Sequence, residues 1–322
     1  MKASVSKKYG TPEVFKIEDV TKPFPKNNEV LVRVYAATVT GSDLMMRNGK
    51  PYIGRLYLGL RKPKTTILGF DFAGEIVEIG KEVTSFKVGD KVFGGTTSLG
   101  CYAEYTCVNV NDVITTLPEN INYNSAAPVS GSAITVMNFL KGLGNLKSGD
   151  KILINGASGS LGTYAIQIAK YFGAEVTGVC SKTNLTMVKE LGADFVIDYT
   201  SEDFSKNGKK YDIIFDTVGK ISFSTCKNSI TETGIYLSSV INIPLLFQMI
   251  KTSFFGKKKV KSSSTGMLPA VKRLDYLLEL KEMLKAEKIK TVIDTTYPLS
   301  KMSDAHTYVE KGHKKGNIVI EI

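Results

Sequence analysis

Residues 151–180 have the sequence KILINGASGSLGTYAIQIAKYFGAEVTGVC, and this stretch decides the fold. The short apolar run Lys151–Asn155 predicts a buried strand, and Ala174–Cys180 predicts a second one. A glycine-rich turn and a helical pattern lie between them, with Gly173 at the usual position of a left-handed helix cap. One face of the predicted helix is apolar and carries Leu161, Ala165, Ile166, Ile168, Ala169 and Phe172. The stretch therefore predicts a strand–turn–helix–strand unit.

The turn of this unit carries a dinucleotide-binding pattern. Its fingerprint positions are Ala157, Gly159 and Gly162, so alanine replaces the first glycine. Such a turn holds a pyrophosphate on the helix N-terminus, where free N–H groups and the helix dipole meet the negative charge. The alternative is a glycine-rich turn with a purely structural role. We expect the cofactor to contact Ala157, Ser158, Gly159, Ser160, Leu161 and Gly162.

Length and composition indicate a globular protein of two domains. The chain has 322 residues, and domains hold about 150 residues each. Its most apolar stretch, Ile235–Phe255, is interrupted by polar residues, so we expect no membrane span and no membrane partner. Met1–Gly10 has no apolar run of the kind a signal peptide needs, and the four cysteines form no C-x-x-C pair. We therefore expect a cytoplasmic protein.

The net charge of +11 leaves two interpretations open. A basic excess can indicate a nucleic-acid partner, but no nucleic-acid-binding motif accompanies it. We favour a solvated basic surface that attracts a polyanionic cofactor. The two histidines, His306 and His313, and the scattered cysteines give a metal site little material, so we predict no metal. His306 is expected to be packed within a helix.

The first third of the chain is rich in strand patterns. Val5–Tyr9, Phe15–Val20 and Glu29–Thr40 predict strands of a compact, antiparallel, barrel-like domain that reaches to about Leu117. Gly41–Asn48 predicts a short helix. The loop that follows, residues 49–66, carries side chains suited to the mouth or lid of a site, namely Tyr52, Arg55, Tyr57 and Lys62.

After Pro118 strands and helices alternate, which predicts a doubly wound parallel sheet. The lysine- and serine-rich segment Gly256–Met267 is expected to be a mobile surface loop, and Ile243–Met267 is expected to supply loops to the pocket wall. The end of the sequence returns to strand patterns, so we expect it to fold back into the β-rich domain.

Several motifs, in this order, resemble the zinc-independent quinone oxidoreductase-like branch of the medium-chain dehydrogenase/reductase superfamily. They are ILGFDFAGEIVEIG, FKVGDKVFG, residues 149–181, LGADFVIDYT, YDIIFDTVG and the stretch from Val292 to Ile320. The resemblance, which covers essentially the whole chain, implies an α/β fold. A GroES-like β-rich catalytic domain would comprise residues 1–122 and 289–322, with a Rossmann domain inserted at 123–288. It also implies an active site between the domains and a homodimer with its contact at edge strands near Gly234–Ile243.

One departure from the zinc-dependent relatives bears on the chemistry. Those proteins place a zinc-binding Cys where Thr40 lies here, and a His–Glu pair where Phe70 and Asp71 lie. Phenylalanine cannot bind a metal, and the four-cysteine structural lobe is missing. Without zinc as a Lewis acid, the acceptors that fit are quinones and conjugated enones, which delocalise the charge after hydride addition. Tyr52 and Thr40 are the candidate hydrogen-bond donors to the substrate. Tyr52 can equally serve to hold its loop, and Asp43 fits a helix cap better than a catalytic acid.

The residues after the second strand of residues 151–180 favour NADPH. No carboxylate lies between Val179 and Lys189, where NAD-binding proteins place an acid for the ribose. Ser181 and Lys182 there suit a 2′-phosphate. The alternative is that Ser181 and Thr183 cap the next helix while Lys182 is solvated.

The resemblance also implies further cofactor contacts. It places Tyr199 near the adenosine phosphate and Thr135 over the nicotinamide. The remaining implied contacts are Thr217, Val218 and Ser238 on the nicotinamide side, and Lys315 and Asn317 from the other domain.

The sequence thus predicts an NADPH-dependent reductase of quinones or α,β-unsaturated carbonyls. The rivals are a zinc-free alcohol or aldehyde oxidoreductase, and an inactive relative that senses nucleotides or binds nucleic acid.

Overall fold

A computed structural model describes the backbone of residues 1–322 and the side chains of residues 1–52, 54–56 and 58–322. The interpretation of the Tyr57 side chain therefore lies outside the described residues. The strands are β1 (Lys2–Val5), β2 (Lys16–Asp19), β3 (Glu29–Val39), β4 (Asp71–Ile79), β5 (Lys91–Gly95), β6 (Tyr105–Asn109), β7 (Val113–Thr116), β8 (Lys151–Asn155), β9 (Glu175–Cys180), β10 (Phe195–Asp198), β11 (Tyr211–Asp216), β12 (Ile230–Ser238), β13 (Lys259–Lys261), β14 (Ile293–Pro298) and β15 (Asn317–Glu321).

The α-helices are α1 (Gly41–Asn48), α2 (Arg55–Leu58), α3 (Tyr123–Ala126), α4 (Ser132–Met137), α5 (Ser160–Tyr171), α6 (Leu185–Glu190), α7 (Phe223–Cys226), α8 (Ile243–Phe254), α9 (Ala270–Lys285) and α10 (Met302–Lys311). A π-helical segment, Asn138–Leu143, continues α4. Among the residues that the structure describes, none of the helices combines the length and apolar content needed to cross a bilayer.

The chain divides into two compact units. The β-rich unit comprises residues 1–131, 269–286 and 291–322, and the parallel-sheet unit comprises residues 132–268 and 287–290. The predicted domain limits at 122/123 and 288/289 differ from these limits. They assign residues 123–131 and helix α9 to the Rossmann domain, whereas both belong to the β-rich unit in the structure. The predicted domain division therefore stays a prediction beside this structural one.

The β-rich unit contains a mainly antiparallel sheet with the strand order β14-β15-β3-β4-β5-β7, and β6 pairs with β3. Strand β15 pairs with β3 from Ile318–Val39 to Glu321–Ala36, which confirms that the end of the sequence folds back into this unit. The core lies under this sheet and includes Val32, Phe72 and Ile318, all fully buried. The strand predicted at Val5–Tyr9 is wrong: β1 spans Lys2–Val5 and pairs with β2.

The parallel-sheet unit has the strand order β10-β9-β8-β11-β12-β13, with every pair parallel. This order, in which the chain reverses direction across the sheet beside β8, is that of a doubly wound Rossmann fold. The predicted α/β class and the strand–turn–helix–strand unit of residues 151–180 are therefore confirmed. Gly173 has a φ of +81°, as its cap position predicts.

Helix α5 is not the one-faced helix that its pattern predicts. Its residues from Gly162 to Ala169 are all buried, including Thr163 and Gln167. The strands β8 and β9 cover one side, and α4 packs against another. The Gln167 side chain forms two hydrogen bonds with the backbone of Lys290. Its Nε2 donates to the carbonyl oxygen at 2.9 Å, and its Oε1 accepts from the N–H at 2.8 Å. Burial on all sides is possible because these polar groups are paired.

Three expectations about the end of this sheet differ from the structure. Gly256–Met267 is not simply a loop, because it contains β13, whose residues 259–261 pair with residues 235–237 of β12. Strand β12 is therefore covered, and Gly234–Ile243 does not present a free edge. Likewise Ile243–Phe254 is the helix α8, not a loop of a pocket wall.

Candidate functional site

The carboxyl ends of β8, β9, β11 and β12 meet at one edge of the parallel sheet. Asn155 lies opposite both Val179 and Asp216, and Asp216 lies opposite Ser238. The residues that follow these strands are therefore brought together. Ligands of open parallel sheets bind at such an edge, next to the point where strand order reverses.

The glycine turn begins directly after β8. Gly156 has a φ of +82°, and its N–H and that of Ala157 donate to the carbonyl of Val179 at 3.1 and 3.0 Å. A Cβ on Gly162 would lie 2.2 Å from the carbonyl oxygen of Gly156, so only glycine lets α5 approach the turn this closely. A Cβ on Gly159 would meet only that oxygen, at 3.5 Å. The open side of Gly159 is where a phosphate can approach the backbone.

The first turn of α5 is oriented for an anion. Its N-cap is Gly159, with extended backbone, and no described side chain caps the helix. The N–H groups of such a turn, together with the helix dipole, attract negative charge. Ser160, Leu161 and Gly162 form this turn, as the sequence predicts. Ala157 is fully buried beneath it.

Asn184, which was not among the predicted site residues, joins the glycine turn to the segment after β9. Its amide Nδ2 donates to the hydroxyl of Ser158 at 3.1 Å and to that of Ser181 at 3.2 Å. Its Oδ1 is buried with no hydrogen-bond partner among the described residues. A nucleotide bound beside these two hydroxyl groups would satisfy this acceptor with one of its own donor groups. Asn184 was missed because it lies in a short polar run with no motif.

The two lysines near this segment differ in their surroundings. Lys182 is exposed, and its charge is close enough to Asp198 to help lower the pKa of that carboxyl, after the stronger effect of hydrogen bonds from Thr200. Lys189 instead donates to the carbonyl of Asp194. Tyr199 follows Asp198 and is 55% exposed. Lys182 thus presents an exposed ammonium group beside the end of β9.

Asp216, which was not among the predicted site residues, organises the turn after β11. Its Oδ1 accepts hydrogen bonds from Val218 N and Gly219 N, both at 3.0 Å, and from the Asn155 side chain at 2.9 Å. Its Oδ2 accepts from the hydroxyl of Tyr236 at 2.9 Å. Burial, followed by the charge of Asp216, raises the pKa of that phenol strongly. The carboxylate fixes the backbone that exposes the predicted contact residue Val218.

The other predicted residues of this unit lie on the same edge or near it. The Thr217 hydroxyl donates to the carbonyl of Asn155 at 2.8 Å, which ties the two strand ends together. Ser238 is buried, and its hydroxyl donates to Val240 O at 3.0 Å. Thr135 is half-buried in α4, the helix that packs on α5.

In the β-rich unit, Thr40 forms the start of α1 together with Asp43. The hydroxyl and the N–H of Thr40 both donate to Asp43 Oδ2, at 2.6 and 2.9 Å. This capping box confirms Asp43 as a helix cap. Asp43 is buried, and burial raises the pKa of its carboxyl to about 6 against the hydrogen bonds that lower it. The hydroxyl proton of Thr40 is therefore committed to Asp43.

Asp71 forms a second buried carboxyl group close to the first. It accepts from the hydroxyl of Ser130 at 2.8 Å and from that of Thr38 at 3.2 Å. Burial, followed by the negative charge of Asp43, raises the pKa of Asp71 to about 7. A Cβ on Gly131 would lie 2.2 Å from Asp71 Oδ2, so the carboxyl is enclosed by backbone. Both of its oxygens are used within the protein.

Metal ligands are not assembled around these carboxyl groups. Phe70 packs against the core, and within the described side chains no three His, Cys, Asp or Glu residues group in a way that could hold a metal ion. Cys101 lies close enough to Asp71 and Asp43 to be influenced by their charges. Its thiol is buried, and burial raises its pKa well above the ordinary value. It is therefore not a thiolate that could act as a ligand or nucleophile at neutral pH.

Tyr52 is 66% exposed and lies on Arg55, whose guanidinium carbon is 4.8 Å from the centre of the Tyr52 ring. The same guanidinium covers Tyr9 at 4.4 Å and donates to the carbonyl of Gly49 at 3.0 Å. Arg55 thus holds the loop together, and most of Tyr52 stays exposed. The two roles considered for Tyr52 are compatible in this arrangement.

The last predicted cofactor residues lie before and at the start of β15. Asn317 is buried, and its side chain donates to the carbonyl of Val292 at 3.1 Å. Lys315 is exposed, and its N–H donates to Asp294 at 3.0 Å. His306 is buried in α10 and packs against Phe15, with 4.5 Å between ring centres and an angle of 50° between the ring planes, which confirms it as a packing residue.

Family models match two parts of the chain. The alcohol dehydrogenase GroES-like domain matches residues 26–119, and the domain called zinc-binding dehydrogenase matches residues 191–320. Among solved structures, the quinone oxidoreductase from Coxiella burnetii has 29% sequence identity and a TM-score of 0.88, covering 100% of this chain and 99% of its own.

Curated relatives match over nearly the full length. A chloroplastic quinone-oxidoreductase homolog from Spinacia oleracea is 34% identical, covering 97% of this chain and 95% of the relative. A mitochondrial NAD(P)H oxidoreductase from Mus musculus is 31% identical, over 100% of this chain and 89% of the relative. The 2-methylene-furan-3-one reductase of Solanum lycopersicum is 32% identical, over 99% of this chain and 79% of the relative.

Proposed function

Because this chain belongs to the medium-chain dehydrogenase/reductase superfamily, with quinone oxidoreductase homologues among its relatives, we propose that it is an NADPH-dependent reductase of quinones or α,β-unsaturated carbonyls that works without zinc. The observation that carries the proposal is the edge of the parallel sheet where the glycine turn, Ser181 and the turn after Asp216 meet. The relatives named above include quinone and NAD(P)H oxidoreductases and a reductase whose named substrate is an alkene conjugated to a ketone.

The residues of this edge fit a nicotinamide dinucleotide. The open side of Gly159 admits a pyrophosphate to the start of α5, and the unsatisfied Oδ1 of Asn184 offers an acceptor to a ribose hydroxyl. NADPH, when bound, supplies the hydride. The protein's part is to bind and orient, and the Asp216 carboxylate does so indirectly by holding the backbone of Val218 and Gly219.

The preference for NADPH is supported by Lys182 and Ser181. Lys182 is exposed beside the end of β9, while the neighbouring Lys189 is engaged with the carbonyl of Asp194. An ammonium group and a hydroxyl group are suitable partners for a 2′-phosphate dianion. Lys182 would supply the charge that distinguishes NADPH from NADH.

The absence of a zinc requirement is supported by the side chains at the three ligand positions. Thr40 is bonded to Asp43, Phe70 is in the core, and Asp71 accepts from two hydroxyl groups. One matching family model is described as zinc-binding, but these positions offer a single carboxyl group. For the substrate, the exposed Tyr52 hydroxyl is the stronger candidate donor, since the Thr40 proton already serves Asp43.

The proposal is tested by following NADPH and NADH oxidation against a panel of quinones, enones, simple aldehydes and ketones, with metal analysis of the same sample. We expect turnover of quinones or enones with NADPH, and no stoichiometric zinc. Turnover of simple aldehydes alone would favour an alcohol or aldehyde oxidoreductase. Cofactor binding without any turnover would favour a nucleotide-sensing relative, and both results would contradict the proposal.

We further propose that the protein is a homodimer that binds no nucleic acid. Because β13 pairs with β12, a contact at this edge of the parallel sheet would involve β13 and not β12. Its place in the cytoplasm also stays a prediction, and the spinach and mouse relatives carry chloroplastic and mitochondrial names. Size measurement by light scattering tests the first point.

A further inference from the structure

Arg273 carries a charged group into the β-rich unit and leaves one of its nitrogen atoms without a partner. The residue lies near the start of α9 and is half-buried. Its Nε is buried and forms no hydrogen bond with the described residues. A guanidinium group has five N–H donors, and a buried donor left unpaired costs free energy. The unused donor therefore calls for an explanation.

Two contacts fix the direction in which α9 runs along strand β7. Near the end of α9, the side chain of Asn120 donates to the carbonyl of Lys285 at 3.2 Å. One turn earlier, the ammonium group of Lys281 donates to the hydroxyl of Thr116, at the end of β7, at 2.7 Å. Helix and strand therefore run in the same direction. Arg273 precedes Lys281 by about 12 Å, at 1.5 Å per residue, and so lies toward the start of β7.

The start of β7 leads across the sheet to Asp71. Val113 lies opposite Gly95, and Gly95 lies opposite Asp71. A Cβ on Gly95 would lie 3.3 Å from Asp71 Oδ1, so no side chain of this strand position separates Val113 from the carboxyl group. Burial and the charge of Asp43 raise the pKa of Asp71, and the charge of Arg273 has a smaller, lowering effect on it. Arg273 is thus near this carboxyl group without being tightly paired with it.

Asp71 marks the place of the reaction in the proposed function. Zinc-dependent relatives hold their metal at the positions of Thr40, Phe70 and Asp71, and none of these three side chains brings a positive charge here. Both oxygens of Asp71 accept hydrogen bonds from hydroxyl groups, so the carboxyl group does not depend on the guanidinium for a partner. Arg273 keeps its charge at any pH at which the protein is folded. It is therefore a source of positive charge beside the position at which those relatives hold zinc.

We propose that the guanidinium group of Arg273 binds the carbonyl oxygen of the quinone or enone and stabilises the negative charge that this oxygen gains on reduction. When an enone accepts a hydride at its β-carbon, a new C–H bond forms there. The C=C electrons move next to the carbonyl carbon, the C=O π electrons move onto oxygen, and NADPH is oxidised to NADP+. The enolate then takes its proton from solvent. A planar fork of charged N–H donors suits such an oxygen, and the inference rests on the proposed function.

A structural role is the rival explanation for Arg273. In that case the guanidinium group would only offset the negative charge of Asp71, and it would not act on a substrate. Arg273→Met/Asp71→Asn separates the two explanations because it removes both charges, with Asp71→Asn alone as the reference. Activity equal to that of Asp71→Asn would show that Arg273 only balances Asp71 and would overturn the proposal. We expect the double variant to stay as slow as Arg273→Met.

Steady-state kinetics measure the contribution of the charge. Arg273→Met should lower kcat/KM for the best quinone or enone roughly 100-fold, a typical effect of removing one donor to a developing oxyanion, and should leave the Kd of NADPH unchanged. Lys272→Met is the matched control, since it removes the same charge from the adjacent, exposed position and should keep wild-type kinetics. Thermal unfolding checks that each variant is folded. Wild-type kinetics in Arg273→Met, or equal loss in both variants, would contradict the inference.

A binding measurement examines the same residue without turnover. The probe is 4-nitrophenol, because its phenolate form carries a negative charge on oxygen and absorbs visible light. In the presence of NADP+ the wild type should bind the phenolate, and Arg273→Met should bind it roughly tenfold more weakly. No binding to the wild type, or equal binding to both proteins, would overturn the inference. Phenolate binding that depends on Arg273, in a protein that reduces no quinone or enone, would contradict the proposed function and leave Arg273 as an anion-binding residue.

Discussion

At the scale of single residues, two buried carboxyl groups determine how the β-rich unit responds to pH. Burial and the neighbouring Asp43 raise the pKa of Asp71 from an ordinary 3.8 to about 7. Between these values the folded protein holds a proton that the unfolded chain has released. Stability from this group is therefore complete below about pH 4 and is lost as pH rises to about 7, by about 1.4 kcal/mol per pH unit at most.

Asp71→Asn should remove this pH dependence. The amide keeps an acceptor for Ser130 and carries no charge. The free energy of unfolding of the variant, relative to that of the wild type, should therefore rise by roughly 2–3 kcal/mol between pH 5 and pH 8. Urea unfolding at several pH values measures the difference. Asp275→Asn, at an exposed carboxyl, is the control and should follow the wild type. A parallel pH profile for Asp71→Asn and the wild type would contradict the assigned pKa.

Lys182→Ala should weaken NADPH binding roughly tenfold and leave NADH binding unchanged, because in the proposed function this ammonium group pairs with the 2′-phosphate, which NADH lacks. Titration of both cofactors by fluorescence or calorimetry measures this. Lys189→Ala is the control, since that ammonium group donates to the carbonyl of Asp194. If Lys182→Ala weakens NADH equally, the side chain does not discriminate between the cofactors.

Sequence reasoning located some site residues better than others. Ser181 and Lys182 were predicted because strand ends in a doubly wound sheet have fixed roles, and their contact with a cofactor stays a prediction. Asn184 and Asp216 were missed, although each joins two strand ends through its hydrogen bonds. Their importance arises from tertiary pairing between distant segments, and no local pattern in the chain records it.

At the scale of elements, the glycine turn separates two kinds of glycine. A Cβ on Gly162 would lie 2.2 Å from the Gly156 oxygen and 2.6 Å from the backbone of Ala157, whereas a Cβ on Gly159 meets only an oxygen at 3.5 Å. Gly162 therefore serves the packing of α5 on the turn. Gly159 leaves open the space in front of the turn, where we propose that a phosphate binds.

Gly162→Ala should destabilise the protein by roughly 1–3 kcal/mol, because backbone must move to admit the methyl group. Gly159→Ala should leave the thermal unfolding of the free protein unchanged and weaken NADPH binding, because its methyl group enters the phosphate space. Thermal unfolding with and without NADPH distinguishes the two. A stable Gly162→Ala variant with normal cofactor affinity would contradict this division.

Element patterns were reliable where local and tertiary signals agree. The strand Lys151–Asn155 was predicted to the residue. The burial of α5 was underestimated, because α4 covers a face whose small and polar residues are of the kind expected at a surface. Strand β13 was missed because lysines occupy two of its three positions. A short edge strand gains its state from pairing with β12, not from its own residues.

At the scale of the whole molecule, the net charge of +11 should act on the rate of cofactor binding. A positive field attracts polyanions over distances near the Debye length, about 10 Å at 0.1 M salt. The association rate of NADPH should therefore fall more steeply with salt than that of NADH, which carries fewer charges. Stopped-flow fluorescence at several salt concentrations measures both slopes. Equal slopes would show that the excess charge lies away from the cofactor's approach.

The interleaving of the two units has a consequence for how the protein is made. Strand β3 ends at Val39, yet one of its neighbours, β15, begins at Asn317. On the ribosome the segment that forms most of the parallel-sheet unit, residues 132–268, emerges well before that neighbour exists. Strand β3 therefore keeps an unpaired hydrogen-bonding edge at a stage when the later segment can already complete the parallel sheet. For this chain, the oldest residues in the nascent polypeptide belong to the unit that is finished last.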